Sequence, residues 1–147
     1  MYKEIEIKPI TDSDYDFGYN VKKTVFKEYV EETWGKWDEE EQISSYKNNF
    51  KIENNYIIEI NQIKIGWLNY IEQESIIKIN QIFILPEYQS KGYGTIIIKK
   101  IIDKSRKNNK SINLCVLKCN KKALKFYERL NFIKNGESDT HFFLKLS

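Results

Sequence analysis

Gln89-Ser90-Lys91-Gly92-Tyr93-Gly94 decides how the rest of the chain is read. It follows a run of strand character, Ile79 to Leu85, closed by Pro86. It leads into a run of helical character, Thr95 to Arg106. A strand, a glycine-bearing turn and a helix together build an anion site. The first-turn amides of a helix have no partner within it, and the helix dipole is positive at that end. Two glycines let a phosphate approach the backbone with no side chain in the way. Taken alone, the same six residues also read as a plain left-handed turn before a helix.

A second motif lies about thirty residues downstream: Asn120-Lys-Lys-Ala123-Leu-Lys-Phe126-Tyr127-Glu-Arg-Leu130-Asn131-Phe132. The pair, in this order and at this separation, resembles the GNAT superfamily of acetyl-CoA-dependent N-acetyltransferases. The first motif matches that family's Gln/Arg-x-x-Gly-x-Gly/Ala loop. The second matches its Asn-x-x-Ala-x-x-Phe-Tyr-x-x-x-Gly-Phe helix, with Asn131 in place of the usual Gly. Asn is the residue that best tolerates the left-handed conformation of a helix C-cap, so the replacement is mild. The resemblance covers nearly the whole chain and is strongest from Ile79 to Phe132.

Bulk properties agree with a folded enzyme-sized unit. A length of 147 residues predicts one domain over 1–147 with one core. The 41% hydrophobic and 31% charged content is ordinary for a globular protein, and 14% aromatic residues give ample core material. A net charge of +3, with Lys scattered among Glu and Asp, argues against a nucleic-acid partner. Cys115 and Cys119 have no histidine cluster near them, so two free thiols and no metal are expected. Met-Tyr-Lys-Glu-Ile-Glu lacks an apolar signal core, and no apolar run approaches bilayer length. A cytoplasmic protein without membrane contact is the expectation.

Periodicity orders the elements. Tyr2 to Ile10 reads as an edge strand ending near Pro9. Thr11 to Asp14 reads as a helix cap with an acidic third residue, and Phe17, Val21 and Val25 carry a first helix to about Tyr29. Trp34-Gly35-Lys36-Trp37 breaks the period, and Asp38 restarts it with Ile43, Tyr46 and Phe50 on one face. Tyr56–Ile60, Ile63–Ile71 and Ser75–Leu85 form a meander with a turn at Asn61-Gln62. After the glycine turn, Ile97, Ile98, Ile101 and Ile102 make one helical stripe. Ile112, Leu114 and Val116 alternate as a strand. Ala123, Phe126, Tyr127 and Leu130 share a helix face. Phe132-Ile133 and His141–Leu146 close the sheet as a hairpin around Asn135-Gly136. Periodicity alone predicts an α/β or α+β domain. The resemblance implies more: a mixed sheet of about seven strands with four helices, whose parallel fourth and fifth strands splay apart.

The resemblance also implies the site. The cosubstrate would be acetyl-CoA, with no metal. Its pyrophosphate would lie on the amides of Gln89, Ser90, Lys91, Gly92, Tyr93, Gly94 and Thr95. Its pantetheine arm would pair with the backbone of Ile82, Phe83 and Ile84 as an added strand, which suits an apolar segment because the backbone does the binding. Asn120 would sit near the pantetheine, and it also reads as an N-cap. Tyr127 stands on a buried stripe as a core aromatic; by resemblance it is the general acid, since a phenol with a pKa near ~10 can protonate a departing thiolate. The oxyanion would meet the N–H of Ile82 or Phe83.

No general base emerges. Asn80 and Gln81 cannot take a proton, and Glu72 and Glu74 read as a solvated turn. His141, the only histidine, suits a base by its pKa class, but a lone strand histidine is more often structural. The connection between the first two helices usually walls the acceptor site in this fold. Here Glu31, Trp34 and, from elsewhere in the chain, Gln81 and His141 are the candidate acceptor contacts. Trp34 with nearby carboxylates leans toward a small cationic amine, and also reads as a loop anchor with exposed caps. The function implied is acetyl transfer to a primary amine of a small-molecule or peptide acceptor. The rival reading is an acyl-CoA-binding domain without turnover. A homodimer is common in the family.

Overall fold

Alternation of apolar residues sets the strands and a 3.6-residue period sets the helices, in the order the sequence predicts. The computed structural model describes residues 4–147, so the expected strand positions at Tyr2 and Lys3 lie outside the described residues. The elements are β1 (Ile5–Pro9), α1 (Tyr15–Trp34), α2 (Glu39–Asn49), β2 (Asn55–Ile60), β3 (Ile63–Glu72), β4 (Ile76–Ile84), α3 (Tyr93–Lys107), β5 (Ser111–Leu117), α4 (Lys121–Arg129), β6 (Ile133–Glu137) and β7 (His141–Leu146). They form one seven-stranded sheet in the order β1-β2-β3-β4-β5-β7-β6. Every neighbouring pair is antiparallel except β4 and β5.

Both faces of the sheet are covered. On one, α3 inserts Ile97, Ile98, Ile101 and Ile102 against Ile58, Ile77, Ile112 and Leu144, and α4 packs beside it. Each such side chain contributes about 1.5–3 kcal/mol when fully buried. On the other face, α1 and α2 bring Val21 and Tyr46 onto Ile57, Trp67 and Phe83. Asn61 and Gln62 both have positive φ (49° and 67°), the two-residue turn whose twist matches a hairpin.

The feature that matters for function is where β4 and β5 part. Their pairing runs only from Ile76–Ser111 to Ile79–Leu114, although both strands continue. On its other side, β4 pairs Ile79 with Tyr70 but Gln81 with Asn69, leaving Asn80 as an extra residue. A bulge bends the strand that carries it. Asn80 follows the last residue paired to β5, so the bulge turns the rest of β4 away and opens a gap.

Three expectations need correction. The first helix runs on to Trp34, because nothing from Val30 to Thr33 breaks it; Gly35 ends it in the left-handed conformation (φ 96°), its N–H bonded to the Glu31 carbonyl at 2.8 Å. Of the expected α2 face, Tyr46 is buried but Ile43 is exposed, since α2 touches the sheet side with a narrower stripe. The last hairpin does not turn at Asn135-Gly136. Both lie within β6, and the turn falls at residues 138–140, with the Ser138 N–H bonded to the His141 carbonyl. Gly136 is in a strand because Phe143 leans over it; an added Cβ would stand 3.1 Å from that ring.

The cap at Thr11 forms as the sequence predicts, one short 3-10 turn ahead of α1. Asp14 accepts from the Thr11 amide at 2.9 Å and hydroxyl at 3.1 Å, and it pairs with Lys64. Burial pushes this carboxyl up, but the bonds from Lys64 and Thr11 outweigh burial and hold it below its usual range. Asp14→Asn is therefore expected to cost about 1–3 kcal/mol at neutral pH. The contribution is present above the unfolded carboxyl's pKa and is lost as pH falls through the lower folded value. Wild type and variant should converge in acid denaturant melts; a constant gap down to pH ~2 would refute the assignment.

Candidate active site

The glycine turn takes the shape its sequence requires. Ser90 and Gly92 have positive φ (60° and 88°), and Gly92 caps α3. The first bond inside the helix runs from the Ile96 N–H to the Gly92 carbonyl at 3.1 Å. The N–H groups of Tyr93, Gly94 and Thr95 are thus left without partners in the helix. The Gln89 amide does not join them. It donates to the Pro86 carbonyl at 3.1 Å, because the turn after Pro86 closes on itself. The Gln89 side chain instead ties the site together, donating to the Ile84 carbonyl at 2.8 Å and accepting from Lys122 at 3.3 Å. Lys91 is exposed, and its ammonium stands 6.0 Å from the Tyr88 ring centroid.

The same contacts orient the open edge of β4. The Ile84 carbonyl points at Gln89, whereas the Leu85 N–H points at the Ile65 carbonyl of β3 at 2.8 Å. Backbone groups alternate sides along a strand. The N–H and C=O of Ile82 and Ile84 therefore face the gap beside β5, and those of Phe83 face β3. Phe83 is the correction here: it offers neither backbone nor side chain to the gap, and its ring packs with Phe26 and Trp67 on the α1 face. Of the two expected oxyanion donors, Ile82 is the one whose N–H faces the gap.

From the other strand, β5, the chain passes Asn120 into α4. Asn120 caps the helix, accepting from the Ala123 N–H at 3.1 Å. Phe126 approaches Gly94 so closely that a Cβ there would touch its ring at 3.4 Å. Tyr127 is 5% exposed, wedged edge-on between Phe126 and Phe132. Burial raises its phenol well above its ordinary value, so it holds its proton. Asn131 adopts the left-handed conformation (φ 72°) expected of a C-cap Asn.

These parts surround one cleft of about 810 Å³. It brings together Ile82, Ile84, Gln89, Ser90, Gly92, Gly94, Thr95, Asn120 and Tyr127 from the expected set. Sequence reasoning missed its second wall. Thr24, Val25, Glu28 and Tyr29 of α1 line it too, as do Lys122 and Arg129 of α4. A signal existed: Val21, Val25, Glu28 and Tyr29 stand at i, i+4, i+7 and i+8 on the stripe that carries α1 onto the sheet.

The expected acceptor contacts are less united. Trp34 and His141 meet, their ring centroids 6.4 Å apart, although 107 positions separate them. Neither lines the main cleft. His141 Nδ1 bonds the Thr140 hydroxyl at 2.7 Å, and Trp34 borders a second groove of about 430 Å³ between α1 and α2. Gln81 buries its Nε2 without a partner among the described residues. Glu31 is exposed on α1 and lines neither cavity. Glu72 is held by Lys104 at 3.2 Å and Lys110 at 2.9 Å, at the end of the sheet away from the glycine turn. Among the described residues no helix is long and apolar enough to cross a membrane.

Comparison with known proteins accords with this geometry. The profile of the family described as acetyltransferase (GNAT) matches residues 23–132. An uncharacterised N-acetyltransferase of Methanocaldococcus jannaschii is 29% identical over 71% of this chain and 47% of its own length, so the chain spans about half of that relative. A spermidine N(1)-acetyltransferase of Vibrio cholerae is 25% identical over 98% of this chain and 87% of its own. Among solved structures, the PaiA N-acetyltransferase of Thermoplasma acidophilum in complex with coenzyme A superposes with a TM-score of 0.77 at 16% identity, covering 97% of this chain and 98% of that one. The Vibrio cholerae spermidine enzyme, solved with CoA and spermine, gives 0.68 at 21% identity over 97% and 94%.

Proposed function

The chain belongs to the acetyltransferase (GNAT) family, and from that premise we propose that it transfers an acetyl group from acetyl-CoA to a primary amine by direct attack in a ternary complex. The observation that carries this reading is the open edge of β4. Beyond Ile79, where pairing with β5 ends, the backbone of Ile82 and the N–H of Ile84 face a cleft that holds the free amides of α3 at one end and a protonated, buried phenol beside them, while the Ile84 carbonyl is taken by Gln89.

The residues fit the donor. An extended arm with its own amides can add to the β4 edge where β5 has left it. The α3 amides, with Lys122 and Arg129 on the same cleft, suit a pyrophosphate. Gly92 has open space where a Cβ would be, and Gly94 leaves only contact distance to Phe126. A cleft of about 810 Å³ is within the range of sites for molecules of cofactor size. Bound acetyl-CoA supplies an acetyl thioester and a thiolate leaving group. The Ile82 N–H is oriented to donate to a carbonyl oxygen in the gap. Tyr127, which lines the cleft from α4 and keeps its proton, would protonate the departing thiolate, and Gln89 holds turn and strand in register.

The test is free-thiol release from acetyl-CoA across polyamines, amino acids and peptides, beside calorimetric binding of CoA alone. Spermidine heads the panel because a relative similar along nearly the whole chain is a spermidine acetyltransferase. Thiol release with at least one amine is expected. Tight CoA binding with no release in any lane would instead assign an acyl-CoA-binding domain without turnover.

A further inference from the structure

We propose that the acceptor enters the cleft from the α1 side and that Glu28 receives its ammonium group there, so that the acceptor is a small cationic amine. This rests on the acetyl-transfer reading above.

The two faces of the sheet carry different helices. α3 and α4 pack on one face and α1 on the other. Yet the cleft is lined by residues of α1 as well as of α3 and α4. It must therefore pass through the sheet, and the gap between β4 and β5 beyond Ile79 is where it can. Apart from the β4 edge itself, the donor-binding devices lie on the α3/α4 side: the free amides, Lys122, Arg129 and Tyr127. The α1 side is left for the acceptor, and it differs in chemistry. Thr24 and Tyr29 carry hydroxyls, Val25 is apolar, and among the described residues Glu28 is the one carboxylate residue that lines the cleft.

The placement of Glu28 does nothing for the helix that carries it. It forms no ion pair among the described residues. Glu32 stands one turn on, and like charges at i and i+4 repel. Both lie toward the negative end of the α1 dipole, in a helix with no basic residue in its last turn. The Tyr29 phenol senses the same field: burial first, then Cys119, Glu28 and Glu32, raise it above its ordinary value. Glu28 is exposed at the cleft with no partner among the described residues, so its charge is free to meet a bound cation. A primary ammonium complements it, and once that nitrogen has given up a proton to solvent it is the amine that attacks the thioester.

The experiment uses Glu28→Gln in the full chain, with spermidine as the probe amine. Calorimetry measures spermidine binding to the CoA-loaded protein and CoA binding alone, and thermal melts accompany both. Spermidine affinity should fall at least tenfold. CoA affinity should be unchanged, and the melting temperature should hold or rise, since a repulsion is removed. Unchanged spermidine affinity in the variant overturns the proposal. So does a lower melting temperature with weaker CoA binding, which would make Glu28 structural. A wild-type chain that binds no spermidine overturns the cationic class. Because the readouts are binding and melting, they stand even if thiol release fails and the acetyl-transfer reading falls with it.

Discussion

Tyr127→Phe is expected to lower kcat about 100-fold, within the range for loss of a positioned general acid. CoA affinity and melting temperature should stay near wild type. The substitution removes one oxygen and leaves the ring between Phe126 and Phe132, so packing on α4 is kept. Tyr127 lines the cleft, and burial keeps its phenol protonated above the ordinary tyrosine value of 10.0. Without it, a departing thiolate must find its proton in solvent. The measurement is the steady-state rate of thiol release at saturating amine, with CoA binding by calorimetry alongside. A kcat within twofold of wild type would remove Tyr127 from the chemistry and leave it a core aromatic.

Gly66→Ala is expected to be the most damaging small substitution in the sheet. Gly66 lies on β3 opposite Ile84, and an added Cβ would stand 2.2 Å from the Phe83 carbonyl oxygen and 3.3 Å from the Ile84 Cα. Both are backbone atoms, so no rotamer change relieves the clash. β4 itself must move, at the residues whose open edge forms the cleft. Overpacking of this kind costs about 3 kcal/mol. For a chain of this length that is a fall in melting temperature of about 6–12 °C. CoA affinity should drop in parallel, because the displaced segment includes Ile84. A melt within about a degree of wild type would show that the strand can absorb the methyl group. Gly94→Ala is the control for melting temperature alone, since Gly94 belongs to the donor site: its Cβ meets Phe126 only at ordinary contact distance.

Much of this architecture was readable because local rules governed it. The isoleucine stripe of α3, the Asn61-Gln62 turn, the Asn120 cap and the left-handed Asn131 each depend on residues within one or two turns of chain. The glycine turn was readable for the same reason, since its amides are freed by the helix that follows. The boundary errors came from competition between local signals. Gly136 looked like a turn glycine, but Phe143, seven positions on, holds it in a strand. Trp34 looked like loop, but Gly35 after it is the actual stop.

The sequence by itself determined the element order, the turn that frees the α3 amides, and the presence of Tyr127 on a buried stripe. It could not say which backbone groups of β4 face outward, because that depends on the bulge at Asn80 and on pairing with β3. Nor could it join α1 to the site. Glu28 and Tyr127 are 99 positions apart, on opposite faces of the sheet, and reach one cleft only because β4 and β5 stop pairing after Ile79. Side-chain periodicity is a property of neighbours along the chain. A gap between two strands is a property of which hydrogen bonds are left unmade, and only the assembled sheet decides that.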